Sequence, residues 1–219
     1  MTRQAFSHQL RDLQDETLVM GSMVEKAIAR AVESLNRRDF DLAEQVCQDD
    51  EKINQKRFEI EETCVKLIAK QQPMAGDLRT ILSVLSIVTD LERMGDYASG
   101  VAEISLLLRD DPPCRPLVDI PAMANIGSEM LRESLRAFVD KDERKARDIA
   151  ERDDEIDSIY HKVLQQCIAL MTEDSAFVAI GTRIIWVAHK LERIGDRATN
   201  ICERVVFAVT GRMEEMSAL

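Results

Sequence analysis

LERMGD occupies residues 91–96 and LERIGD occupies residues 191–196 of a 219-residue chain. Each copy holds a Glu and an Asp four residues apart, Glu92 with Asp96 and Glu192 with Asp196. Apolar residues recur around both copies at helical spacing: Val84, Ile87, Leu91, Met94, Ala98 and Val101 in the first, Ile184, Val187, Leu191, Ile194, Ala198 and Ile201 in the second. At about 100° per residue, Asp96 lies about 40° around the helix from Glu92, and Glu103 about 20°. The three acids therefore form one narrow line beside an intact apolar stripe. Glu192, Asp196 and Glu203 repeat the pattern. Each copy reads as part of a long amphipathic helix.

The rest of the chain divides around these two helices. Phe6–Asn36, Asp41–Gln71 and Asp77–Arg109 read as three long helices, separated by a turn at Arg37–Asp39 and by Pro73. DDPPCRPLVDIP at 110–121 holds four of the five prolines and has no helical period, which marks a linker. Ala122–Asp140, Asp142–Met171 and Ala176–Thr210 read as three further helices, with Gly211 as a stop. The halves align: Asp39–Ala43 matches Asp142–Ala146, and Ile53-Asn54 matches Ile156-Asp157, both at an offset of 103, while the ERxGD segments match at 100. The predicted fold class is all-α, two tandem three-helix bundles, with a first repeat at 1–110, a proline-rich linker at 111–121 and a second repeat at 122–219.

Composition narrows the function. The net charge of −11 argues against nucleic acid as a partner and leaves cations or basic protein surfaces. No stretch reaches the roughly 18 uninterrupted apolar residues of a spanning helix, and MTRQAFSHQLRDL lacks an apolar signal core, so a cytoplasmic protein is expected. The five cysteines show no CxxC spacing, which suits free thiols in a reducing compartment.

A hairpin closed at Pro73 places Glu92 opposite Asn54 and Asp96 opposite Asp50. One closed near TEDSA, 172–176, places Glu192 opposite Asp157 and Asp196 opposite Asp153. The repeat alignment independently pairs the same positions. An isolated like-charge pair at i, i+4 costs only a few tenths of a kcal/mol, but four carboxylates facing one another cost more unless a cation lies between them. Carboxylate oxygens select hard cations such as Mg²⁺, Ca²⁺, Mn²⁺ or iron. The pairs thus read as half-sites for a metal, one per repeat. Asn54 brings an amide where the second repeat brings a charge, so the first site is expected to bind less tightly. The opposing reading is a solvated acidic surface paired with Arg93, Arg193 and Arg197.

QQPMAGDLRTILSVLSIVTDLERMGDYASGVAE, 71–103, resembles the signature segment of the PhoU family, accessory regulators of bacterial phosphate transport. DDEKIN at 49–54, DDEID at 153–157, MGSMVEKAI at 20–28 and LERIGDRATNICE at 191–203 are similar to it as well. The resemblance implies two three-helix bundles side by side and negative regulation of the phosphate-starvation response. It implies contact with the ATPase of a phosphate ABC transporter and with a sensor histidine kinase, approach to the membrane only through those partners, and a homodimer. It also implies E/DxxxD metal sites. Carried onto this chain, these are Glu92, Asp96, Glu192 and Asp196, then Asp50, Asp153 and Asp157, then Glu103 and Glu203. The metal is left open among Fe, Mg, Mn, Ca, Zn and Ni. In place of a second Glu25, the second repeat has Ser128.

Two alternatives belong to other classes. A carboxylate-bridged metalloenzyme of the ferritin-like kind places His three residues after Glu, whereas His189 lies three before Glu192 and Thr89 stands at the matching place. No GxSxG or phosphate-loop motif is present, so the chain is not expected to be an enzyme. A passive helical scaffold would carry the acidic lines for solubility alone.

Overall fold

The computed structural model describes residues 3–112 and 119–216; the middle of the proline-rich linker, with Cys114, lies outside the described residues. The helices are α1 (Arg3–Arg37), α2 (Phe40–Gln71), α3 (Ala75–Leu107), α4 (Ile120–Asp140), α5 (Glu143–Ala150), α6 (Asp153–Glu173) and α7 (Val178–Thr210), with a 3₁₀ turn at Ser175–Phe177 before α7. Helices α1–α3 form one bundle; α4, α5–α6 and α7 form the other.

The repeat shows in the turns. Arg38 and Lys141 both adopt left-handed backbone, with φ of 54° and 56°. The residue that follows each then caps a helix. The Asp39 carboxylate accepts from the Leu42 N–H at 2.9 Å, and Asp142 accepts from Lys145 at 2.9 Å. Each cap satisfies one of the N–H groups that a helix start leaves unpaired. Left-handed Gln72 ends α2 ahead of Pro73, and Gly211 ends α7 with φ 79°.

One predicted element differs. The single helix expected over 142–171 is broken at Glu151–Arg152, between α5 and α6. There the Arg152 N–H bonds the Ile149 carbonyl and the Glu155 N–H bonds the Arg152 carbonyl, three residues apart instead of four. That tighter spacing interrupts the α-helical ladder. Arg152 also reaches sideways to Glu129 of α4 at 2.9 Å. No Pro or Gly announces this break. Helix α4 also begins two residues earlier than expected, which puts Pro121 in its first turn, where a missing N–H costs nothing.

Both predicted apolar stripes face inward, and all twelve of their residues are buried. They do not make two separate cores. A single apolar cluster runs through both bundles, because α3 and α7 pack on one another along their length. These two helices run antiparallel: Arg79 reaches the Ala208 carbonyl, Ser83 the Arg204 carbonyl, Asp90 meets Arg197 and Asn200, and Lys190 lies over Gly100. Small residues let α3 be covered by α1, α2 and α7 together; Ser83, Gly95, Ala98, Ser99, Gly100 and Ala102 are all buried. Helices α1 and α4 repeat the antiparallel crossing, with Glu25 paired to Arg132 at 2.7 Å and Leu135 set against Gly21.

Deleting bulk from this shared core should be costly. Leu91→Ala, at a fully buried position, is expected to lower the unfolding free energy by about 2–5 kcal/mol. Leu107→Ala, at a position 56% exposed, should change it by less than about 0.5 kcal/mol. Urea unfolding of the two variants checks the contrast.

Candidate metal centre

The antiparallel register sets the site. Asp96 of α3 and Glu192 of α7 fall at about the same level, between the Asp90–Arg197 contact and the Gly100–Lys190 contact. Both acidic lines therefore reach the middle of the molecule, one where α3 meets α2 and the other where α7 meets α6.

Within each line the glycine of ERxGD governs the approach of the second helix. A Cβ on Gly195 would lie 2.6 Å from Asp153 Oδ1 and 2.8 Å from Ile156 Cδ1. A Cβ on Gly95 would lie 3.1 Å from Ile53 Cδ1 and 3.4 Å from Asp50 Oδ1. The missing side chain lets α6 and α2 press onto the motif helix. The carboxylates of Asp153 and Asp50 are thereby laid beside the Glu and Asp of the motif, as the hairpin reading expected.

The electrostatic consequence is plain in the second repeat. Burial, then Asp196, Asp157 and Glu192, push the Asp153 carboxyl up to about 7. Asp157 is raised by burial and by Asp196, with His161 opposing. Glu192 is raised by burial and by Asp196, with His189 and Arg193 opposing. In the first repeat, burial, then Asp96 and Glu92, push Asp50 up to about 6. Three buried carboxylate oxygens, Glu92 Oε2, Asp153 Oδ1 and Glu192 Oε2, have no hydrogen-bond donor. A buried acceptor without a donor is costly; Arg93 Nε lies 3.6 Å from Glu92 Oε2 and His189 Nδ1 3.3 Å from Glu192 Oε2, while no ion pair among the described residues reaches Asp153 Oδ1.

Arginines compensate part of the charge. Arg193 reaches Asp196 at 2.5 Å. Arg93 lies 3.5 Å from Asp96. Arg57 of α2 donates to Glu92 Oε1 at 2.9 Å. His189 Nδ1 stands 3.3 Å from Glu192 Oε2. The third acids differ between repeats. Glu103 is exposed, and its charge is among those acting on Asp50. Glu203 is buried, and its Oε1 accepts from the Met216 N–H at 2.8 Å, because the segment after α7 folds back over it. Asn54 is half-buried on α2. Glu25 is engaged with Arg132. Sequence reasoning did not single out Arg57 or the returning segment.

The chemistry of this donor set fits a hard cation: all-oxygen, anionic, partly desolvated and short of positive charge. The second set, Asp153, Asp157, Glu192 and Asp196, offers four carboxylates; the first offers Asp50, Glu92 and Asp96. Among the described residues, no three of these groups are gathered as closely as a metal cage requires. They form an open rim. No helix of the described residues is long and apolar enough to cross a membrane.

A family model described as the PhoU domain matches residues 17–105 and again 120–205. A phosphate-specific transport system accessory protein PhoU homolog of Clostridium acetobutylicum is 38% identical over 218 residues, covering 99% of this chain and 100% of that one. A PhoU homolog of the same description from Pseudomonas aeruginosa is 38% identical over 209 residues, covering 95% of this chain and 86% of that one. The fold matches a crystal structure of the phosphate transport system regulatory protein PhoU from Streptococcus pneumoniae with a TM-score of 0.89 at 33% identity, over 95% of this chain and 99% of that one. It matches PhoU from Pseudomonas aeruginosa with a TM-score of 0.89 at 38% identity, over 94% of this chain and 100% of that one.

Two outcomes are expected from this geometry. Gly195→Ala forces atoms apart and should cost about 1–3 kcal/mol. Gly95→Ala meets only tight contacts, which the roughly 1 kcal/mol gain in helix propensity offsets, so thermal unfolding should leave it near wild type. The second outcome concerns pH. Native Asp50 and Asp153, raised to about 6 and about 7 from 3.8, hold protons that the unfolded chain releases. Their contribution to stability is complete below about pH 4 and is lost as pH rises through 6 and 7. In chelator-treated protein, Asp153→Asn should reduce the fall in melting temperature between pH 5 and pH 8.

Proposed function

The chain belongs to the PhoU family, and from that premise we propose that it is an accessory protein of a phosphate-specific transport system that acts as a negative regulator. In this reading it restrains uptake and the phosphate-starvation response as a cytoplasmic adaptor. It does so through contact with the transporter's ATPase and with a sensor histidine kinase, as a homodimer, and not as an enzyme. The observation that carries the reading is similarity along nearly the whole chain to accessory proteins of phosphate transport. Both repeats take part in that similarity.

The acidic rims are its metal sites in this proposal. Asp153, Asp157, Glu192 and Asp196 would hold a cation between α6 and α7; Asp50, Glu92 and Asp96 would hold one between α2 and α3. A bound divalent or iron cation supplies positive charge that relieves the repulsion among these carboxylates. The chain's own part is to hold Asp153 and Asp50 against the motif helices and keep water from their inner oxygens. Glu103 and Glu203 lie farther along the same lines, and Glu203 is already engaged by Met216. Metal loading would then change the charge of the surface offered to partners.

The scaffold reading draws on the observed pairs Arg93–Asp96 and Arg193–Asp196. The two readings diverge in cells grown in high phosphate. Replacing Glu92, Asp96, Glu192 and Asp196 together with Ala should raise a phosphate-starvation reporter toward its starved level and reduce co-purification of the transporter ATPase. A reporter and a co-purification both unchanged would favour the scaffold.

A further inference from the structure

The two acidic rims look alike in sequence but differ in one built-in charge. In the first repeat, Arg57 of α2 lies against the motif Glu: its Nη1 is 2.9 Å from Glu92 Oε1. Its Nε is held 2.8 Å from Glu61 Oε1, one turn along α2. Both partners are carboxylates, and the Glu92 side chain is only 14% exposed. A guanidinium fixed at both ends in this way is a resident cation and not a passing surface pair.

At the repeat offset of 103, Arg57 corresponds to Tyr160 and Glu61 to Leu164. The second repeat therefore lacks both the cation and the carboxylate that anchors it. Tyr160 instead packs beside His189, ring centroids 6.1 Å apart, and Leu164 offers no group that could hold a guanidinium. The side chain paired with Glu192 is His189, which is 55% exposed and 3.3 Å away. The flanking arginines do not create this difference, since Arg93 and Arg193 occupy equivalent places and lie against equivalent Asp residues. The substitution of Asn54 for Asp157 works in the same direction. The first rim has three carboxylates and an extra fixed cation; the second has four carboxylates and no counterpart of Arg57.

We propose that Arg57 is the internal counter-ion of the first rim and sits where a metal would compete for Glu92, so that metal binding by this chain is strongly biased to the second rim. The inference rests on the metal reading above and adds which repeat is loaded and why. Two repeats that descend from one pattern thereby divide their work: one is neutralised by its own side chain, and the other depends on an external cation. Asp153 Oδ1 of the second rim, with neither a hydrogen-bond donor nor an ion pair among the described residues, accords with that division; Glu92 Oε2 of the first lies 3.6 Å from Arg93 Nε.

The test is titration of metal-free protein with Mn²⁺, read by calorimetry and by the electron paramagnetic resonance of free Mn²⁺. Wild type is expected to bind most tightly at a component that Glu192→Ala with Asp196→Ala removes and Glu92→Ala with Asp96→Ala leaves. Arg57→Gln should strengthen the weaker component, and the exchange Tyr160→Arg with Leu164→Glu should weaken the tighter one, each on the order of tenfold, as expected for the loss or gain of a charge-assisted bond to a ligand. The second variant leaves Arg57 untouched, so a folding defect in Arg57→Gln cannot decide the matter. Equal binding by both rims, unmoved by either variant, would overturn the role of Arg57 and leave the metal reading standing. Absence of Mn²⁺ binding in every form would overturn both.

Discussion

The close approach of one helix to another over a glycine is the constraint on which the centre of this molecule depends. Where α6 crosses α7, Gly195 leaves no room for a side chain because the Asp153 carboxylate and Ile156 already fill it. Where α2 crosses α3, Gly95 meets Asp50 and Ile53 in the same manner. The apolar half of each contact stabilises the packing. The carboxylate half opposes it, since an anion leaves water and comes beside two others. The raised Asp50 and Asp153 carboxyls are the direct reading of that opposition.

The opposition persists because the surrounding structure is large and continuous. Antiparallel packing of α3 on α7 merges two three-helix units into one apolar core. Hydrophobic burial on that scale tolerates a few unfavourable carboxylates. The same packing brings both acidic lines to about one level along the α3–α7 contact.

Much of this was legible in the sequence because it is periodic. The 3.6-residue spacing from Val84 to Val101 and from Ile184 to Ile201 named the buried faces, and the offset of 103 located the repeated turns at Asp39 and Asp142. Counting back from Pro73 and from TEDSA placed Asp50 and Asp153 beside the motif helices, which the glycine contacts bear out. What sequence left open depends on geometry without period. The break at Glu151–Arg152 has no Pro or Gly and reflects three-residue hydrogen bonds with a lateral pair to Glu129. The engagement of Glu203 depends on a non-helical segment returning to α7. The place of Arg57 depends on its reach across to Glu92, although its exchange for Tyr160 stands in the repeat alignment.

Packing crowds carboxylates at both rims, and the arginines beside them offset only part of that charge. Asp153 reports this directly. Its ionisation can be followed by the carbon-13 shift of its carboxyl group in chelator-treated protein, with and without Mg²⁺. A midpoint near 7 is expected without Mg²⁺, with a fall well below it when Mg²⁺ is added. A midpoint in the ordinary range of an aspartate, about 4, unmoved by Mg²⁺, would mean that the carboxylates are neither crowded nor a cation site.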